Sequence, residues 1–351
     1  MSTSEIRIYD LPSELVPGPV PIAVLLPPGY SQASEPLPLC LSLHGGGSSR
    51  DDTIGAQPLF EGLWQEGVLE PMVIATASTG VLSWYLDEPG GAQWESFIAE
   101  EFLSHLRDQY QVRTDRDGTV MTGVSMGGHG TLKIGFAHPE RYLAIAANEA
   151  GIEPGLTRDQ SPLRSQIYAA TASGAGDTIL DRLIGPDADA ALFAANAPAV
   201  RLLDNADAIK ASGMSIYLEC GDNDALNLHD GNEYLHRLLW DLDISHEYHL
   251  VKDADHLGPT IIPRMVEAFT FLSNALRNTR KTETSQELST EGRAWLEWSK
   301  GGMTGPAPTF DMESDEGALL LRELLKETRQ DLVEKDPTIN RRFAVLPPTK
   351  R

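Results

Sequence analysis

A serine set among glycines at a strand-to-helix junction leaves this chain few folds to choose from. Thr119-Val120-Met121-Thr122-Gly123-Val124 reads as a strand, Ser125 follows, and after Met126-Gly127-Gly128 the spacing of apolar residues over 131–142 is helical. The pattern is G-x-S-x-G. A turn this tight needs small neighbours, because a Cβ at the flanking positions would clash within it. Gly123, Gly127 and Gly128 supply them. Such a turn lifts the Ser125 hydroxyl above a sheet, at the N-terminus of a helix whose dipole favours negative charge. The bland alternative is a structural Gly-Ser turn.

The flanking sequence supports the sheet. Strand-like runs occur at 21–30, 37–47, 71–78, 142–150, 214–224 and 246–256, and helix-like runs at 94–110 and 263–276. Over 94–110 the stripe Phe97, Ile98, Phe102, Leu103, Leu106 and Tyr110 lies on one side. Regular alternation predicts an α/β class: a mostly parallel, doubly wound sheet with helices on both faces and ligands at the carboxyl ends of the strands. Residues 1–278 read as this domain. Residues 151–213 interrupt the rhythm, either as a cap or insertion over the site or as an ordinary connection of short helices. Residues 279–351 carry 12 basic and 13 acidic side chains, so nearly all the excess negative charge lies before them. They read as a helical C-terminal extension with helices over 290–302 and 314–337. The Trp295 and Trp298 face and the leucine face at 320–332 must be buried somewhere, on the domain or in a homodimer.

Charge and cysteine usage exclude whole classes of function. Lys and Arg number 28 against 51 Asp and Glu, a formal charge of −23. Such a surface repels phosphate backbones and anionic lipid, so neither nucleic acid nor a membrane is an expected partner. There is no run of 18 apolar residues and no basic, apolar leader in MSTSEIRIYD, which points to a cytoplasmic protein. Cys40 and Cys220 sit in apolar strand runs and are expected as buried thiols. With no HExxH, no paired CxxC and no calcium-loop spacing at 222–231, no metal and no cofactor is expected.

A serine hydroxyl becomes a nucleophile only when a base takes its proton. In this strand order an acid and then a histidine should follow the serine. Of nine histidines, His44 and His105 precede Ser125, His129 and His138 belong to its own helix, His229 and His236 fall in a candidate helix, and His246 and His249 lie at the start of and within the last strand. His256, in Asp253-Ala254-Asp255-His256, follows that strand at the carboxyl edge and is the expected base. The loop Gly221-Asp222-Asn223-Asp224 offers the carboxylate that would orient the imidazole. Asp224 is preferred and Asp222 stays open. Tetrahedral oxyanions need N–H donors. His44-Gly45-Gly46-Gly47 follows an early strand, so Gly46 and Met126 are the expected donors, with Gly47 as the alternative to Gly46.

LPPGY (26–30), LSLHGGG (41–47), residues 83–106, GVSMGGHGTL (123–132), the Gly221-x-x-Asp224 turn and ADH (254–256) together resemble the esterase D group of α/β-hydrolases. That group includes S-formylglutathione hydrolases, feruloyl esterases and mycolyltransferases. The resemblance spans roughly residues 20–276. It implies an α/β-hydrolase fold and a serine carboxylic-ester hydrolase acting on a small-molecule ester, or an acyltransferase with the same triad. A non-catalytic relative is the contrasting reading. The resemblance also implies that Trp84, Tyr85 and Trp94 line the substrate cleft; as core aromatics they would be equally ordinary. One departure is Leu257-Gly258-Pro259, where the group often has an aromatic. The tail after 278 lies outside the resemblance.

Overall fold

The computed structural model describes residues 3–156, 190–279 and 288–314, together with 316–317, 319–321, 323–325 and 335. The chain divides into two compact units, Met1–Arg277 and Asn278–Arg351.

The first unit is built on eight strands: β1 (Glu5–Leu11), β2 (Val20–Leu26), β3 (Leu39–Leu43), β4 (Val73–Ala77), β5 (Thr119–Val124), β6 (Ala144–Asn148), β7 (Ser215–Gly221) and β8 (Glu247–Val251). They form one sheet in the order β1-β2-β4-β3-β5-β6-β7-β8. From β4 to β8 every pairing is parallel. β1 and β2 add an antiparallel edge, Glu5 opposite Leu26 and Ile22 opposite Ala77. The chain order reverses between β3 and β5, which opens a crevice at their carboxyl ends.

Helices follow the strands: α1 (Asp51–Gly55), α2 (Gln57–Gln65), α3 (94–109), α4 (Met126–Ala137), α5 (Ala190–Asn196), α6 (Pro198–Asp204), α7 (Ala206–Ser212), α8 (His229–Asp241) and α9 (Ile261–Thr279). α3 is continuous but passes through a π-helical stretch at Phe97–Phe102. Helices lie on both faces, and the period-two alternation of strand side chains shows how. Cys40, Ile74, Val120 and Ala144 point into a core shared with Phe60 of α2 and Phe269, Leu272 and Leu276 of α9. Leu43 and Ile145, an odd number of residues from Cys40 and Ala144, point the other way, against Gly130 and Gly135 of α4. α4 is buried along almost its whole length, which explains why its sequence is nearly free of charge.

Expectation and structure differ in two places. β1 was not anticipated, because its outward positions are polar and its pattern is that of an exposed edge. α1 and α2 were not anticipated either, because their amphipathic stripe is short. Within 151–213, residues 157–189 lie outside the described residues, and 190–212 form the three short helices α5 to α7.

In the second unit, α10 (Thr290–Lys300) starts where the Ser289 side chain caps the Gly292 N–H, and it ends at Gly301. Trp295 and Trp298 meet edge to face at 5.6 Å. The expected second helix lies partly outside the described residues; 319–321 and 323–325 are helical. Among the described residues no helix is long and apolar enough to cross a membrane.

The elbow depends on an approach between backbones that only glycine permits. A Cβ on Gly127 would stand 2.0 Å from the Leu43 carbonyl oxygen, and one on Gly123 would stand 2.3 Å from that of Gly127. Gly127→Ala should therefore cost about 3 kcal/mol or prevent folding. Gly62→Ala, in α2 with no neighbour within 4 Å, should add about 0.5–1 kcal/mol. Denaturant unfolding of the two variants checks this, and equal tolerance would contradict the steric account.

Candidate active site

The carboxyl ends of β3, β5, β7 and β8 carry the loops that meet in the crevice. Parallel register brings them level: Leu43 pairs with Gly123, Val124 with Asn148, Asn148 with Glu219, and Gly221 with Val251. Ser125 sits between β5 and α4 with φ 57° and ψ −116°, a conformation that costs a non-glycine residue about 1–3 kcal/mol. Three main-chain hydrogen bonds hold it: its N–H donates to the Asn148 carbonyl at 2.9 Å, and its carbonyl accepts from the His129 N–H at 2.9 Å and the Gly151 N–H at 3.2 Å.

Three side chains predicted from separate stretches of sequence stand in one row. Ser125 Oγ is 3.1 Å from His256 Nε2, and His256 Nδ1 is 2.9 Å from Asp224 Oδ2. Asp224 is buried. Burial alone would raise its pKa, but hydrogen bonds from His256 and Glu149 and the nearby imidazole hold it down to about 2. Asp222 takes a different place. It is exposed, and its Oδ1 accepts the Asp253 N–H at 2.7 Å, clasping the loop that carries His256.

The glycine loop after β3 is fixed by His44, whose Nε2 accepts the Thr79 N–H at 3.0 Å. The Gly47 N–H is already used, donating to the Val81 carbonyl at 2.8 Å. The Gly46 N–H makes no such bond among the described residues. Met126 is the first residue of α4, where an N–H has no intrahelical acceptor. Both residues line a cleft of about 930 Å³ that also contains Ser125 and His256. The rest of its wall is largely apolar and includes Leu59, Leu226, Leu257, Ile261 and Met265.

The three aromatics separate. Trp84 lines the cleft. Tyr85 is wholly buried beneath it and donates its hydroxyl to the His44 carbonyl at 2.9 Å. Trp94 packs edge to face on Phe97 and is not part of the cleft wall. Tyr85 is a core aromatic that braces the glycine loop.

Several contributors left no motif in the sequence. Lys133 of α4 is fully buried, pairs with Glu95 at 3.0 Å and donates to the Tyr85 carbonyl and to Asn196. Burial lowers its pKa while Glu95 opposes the loss of charge. It pins the turn at Trp84 and Tyr85, both in left-handed backbone. Under the row lie Glu149, Glu219, Cys220 and Arg264, all buried. Donor atoms of Glu149, Cys220 and Asp224 fall within 4.8 Å of one another. The set suits a metal poorly: the Arg264 cation already bonds Glu149, and burial raises the Cys220 pKa, so the thiol keeps its proton.

Residues 13–242 match the model of the Esterase family. The chain belongs to that family. The Esterase family chain is 29% identical over 146 residues to an esterase of Mycobacterium tuberculosis, 39% of this chain and 30% of that protein. It is 24% identical over 178 residues to a diacylglycerol acyltransferase/mycolyltransferase of Mycobacterium leprae, covering 49% and 50%. It thus spans between about a third and a half of these curated relatives. Among solved structures it resembles a ferulic acid esterase, with TM-score 0.63, 20% identity, 79% of this chain and all of that one. An S-formylglutathione hydrolase from Staphylococcus aureus gives TM-score 0.57 and 16% identity, covering 78% of this chain and all of that one. The likeness is one of fold, the α/β-hydrolase fold, and these are the kinds of protein that the sequence resemblance names.

His129 gives the site a pH liability. It is buried, with Nδ1 bonded to the Gly151 carbonyl at 2.9 Å and its ring edge to face with Trp84. Burial, and then the neighbouring Lys133 charge, lowers its pKa to about 3. The unfolded chain therefore takes up a proton near pH 6.5 that the folded chain refuses until about pH 3, so stability falls as pH drops through that window, by up to ~1.4 kcal/mol per pH unit. His129→Asn keeps a donor for Gly151 and should flatten part of this slope in urea unfolding at pH 7, 6 and 5. An unchanged slope would contradict the assignment.

Proposed function

We propose that this Esterase family protein is a serine carboxylic-ester hydrolase working through an acyl-enzyme on Ser125. The observation that carries the proposal is the row Ser125 Oγ, His256 and Asp224, with gaps of 3.1 and 2.9 Å. Ser125 Oγ attacks the ester carbonyl carbon while His256 Nε2 takes its proton. The carbonyl oxygen becomes an oxyanion and accepts the N–H groups of Gly46 and Met126. As the carbon–oxygen bond breaks, His256 returns the proton to the leaving alcohol. Water then gives its proton to His256 and attacks the acyl-enzyme, and the acid leaves as Ser125 recovers its proton. Asp224 keeps Nδ1 protonated and stabilises the imidazolium.

The substrate is an ester with an apolar acyl group. The leucines and isoleucines of the cleft wall support this, and Asp51 and Asp52 in the same wall, with the formal charge of −23, disfavour anionic substrates. A second reading is acyl transfer to a sugar or lipid alcohol through the same acyl-enzyme, favoured by the similarity to the Mycobacterium leprae acyltransferase.

Three experiments test these readings. Ser125→Ala should lower kcat/KM for p-nitrophenyl acetate by about 10⁴-fold or more, with the circular dichroism spectrum unchanged. Asp224→Asn should cost about 10⁴-fold and Asp222→Asn only a few-fold; turnover that survives Ser125→Ala would end the proposal. Across p-nitrophenyl esters from acetate to octanoate, kcat/KM should rise by up to about fourfold per methylene, the factor corresponding to ~0.8 kcal/mol of burial, until the cleft is full. A monotonic fall from acetate would refute an apolar acyl site. Product analysis with glycerol present separates hydrolysis from transfer.

A further inference from the structure

A second acid lies directly beneath the row. Glu149, one residue past β6, is wholly buried and has φ 47°, a strain that persists only where the surroundings enforce it. Its Oε1 accepts from the Gly221 N–H at 3.0 Å and from Arg264. Its Oε2 accepts from Cys220 Sγ at 2.9 Å and stands 3.9 Å from His256 Nδ1, the atom that Asp224 meets.

The groups facing Glu149 are Glu219 and Cys220 from β7, Asp224 from the loop after β7, His256 from the loop after β8, and Arg264 from α9. Arg264 is shared, since it also pairs with Glu219 at 2.6 Å. Two buried carboxyls thus meet one guanidinium, and a third, that of Asp224, has an oxygen within 4.8 Å of Glu149 with no cation of its own but the imidazole. Neighbouring carboxylates withdrawn from water repel strongly, and one proton held between two of them removes the repulsion and creates a hydrogen bond. The two acids are not equivalent. Burial, and then the bond to Asp224, pushes Glu149 up to about 7, whereas Asp224 is held far below it.

We propose that Glu149 is a positioning residue of the triad: it carries a proton on Oε2 and donates it to the Asp224 carboxylate, so that Asp224 stays ionised, aimed at His256, and titrates with Glu149 as one unit. The inference rests on the reading of Ser125, His256 and Asp224 as a catalytic triad. When Glu149 loses its proton to solvent, Asp224 loses a donor and the imidazole gains a second negative charge at 3.9 Å. That charge favours imidazolium, the form that cannot act as base.

The test is the pH dependence of kcat/KM for p-nitrophenyl acetate in the full chain and in Glu149→Gln, which keeps an N–H donor but cannot ionise. The acidic limb of the unvaried enzyme should show two overlapping ionisations. In Glu149→Gln it should show one, with its midpoint lower by about half a pH unit or more. Superimposable normalised profiles would overturn the proposal, whatever the loss in rate. A direct measurement does not need the variant to fold. Infrared spectra of the unvaried protein should contain a protonated-carboxyl band at pH 6 that titrates away near pH 7, and its absence would also overturn the proposal. Survival of turnover in Ser125→Ala would instead defeat the triad reading and leave the infrared result standing.

Discussion

Two stretches of main chain approach each other so closely that no side chain fits between them, and the site depends on that approach. The Leu43 carbonyl at the end of β3 lies where a methyl group on Gly127 would be. β3 and the first turn of α4 can therefore share one crevice. The same closeness lets N–H groups from two different loops, Gly46 and Met126, line one cleft. It also holds Ser125 in its unfavourable backbone conformation, because α4 is packed too tightly against β3 and β6 to let the turn relax. The strain at Ser125, about 1–3 kcal/mol, is offset by the burial of a helix with eleven of its twelve residues inside.

Legibility in the sequence followed how local each constraint is. The elbow was legible because its glycines and serine are consecutive, and steric rules act over neighbours. His256 was legible by elimination, since among the histidines after Ser125 it alone comes just past the carboxyl end of a strand. The parallel strands β3 to β7 were legible as apolar runs because they are buried on both faces. β1 was not, since only one of its sides packs. The difference between Asp222 and Asp224 depends on which carboxylate a neighbouring loop covers, and residue spacing carries no record of that. Tyr85 follows the same logic: an aromatic beside a glycine loop can line a cleft or brace it, and the left-handed backbone at Trp84 and Tyr85 sends one ring to the cleft and the other under the loop. Glu149, Cys220 and Arg264 come together from 116 residues of chain and match no motif, because their association is electrostatic and formed only by the fold.

The cleft has an apolar wall over a charged floor, and the two layers have different tasks. The wall offers non-directional apolar contact, and its leucines and isoleucines can change shape without changing chemistry. The floor supplies direction. Asp224, Glu149 and Glu219 are removed from water, so each bond among them is stronger than it would be at the surface, and each unpaired charge would be more costly. A floor of this kind tolerates few substitutions one at a time, because removing either sign strands the other.

Arg264 ties these layers to the core. Its Nη1 bonds Glu149 and Glu219, and its Nη2 donates to the Asp255 carbonyl at 2.7 Å, one residue before His256. The same helix carries Ala268, Phe269, Leu272 and Leu276 into the main hydrophobic cluster. α9 is thus fixed by burial along one stretch and holds the carboxyl cluster and the histidine loop from the next. The packing of Phe269 and Leu272 therefore helps to fix where the guanidinium stands, and through the Asp255 carbonyl it supports the loop that carries His256.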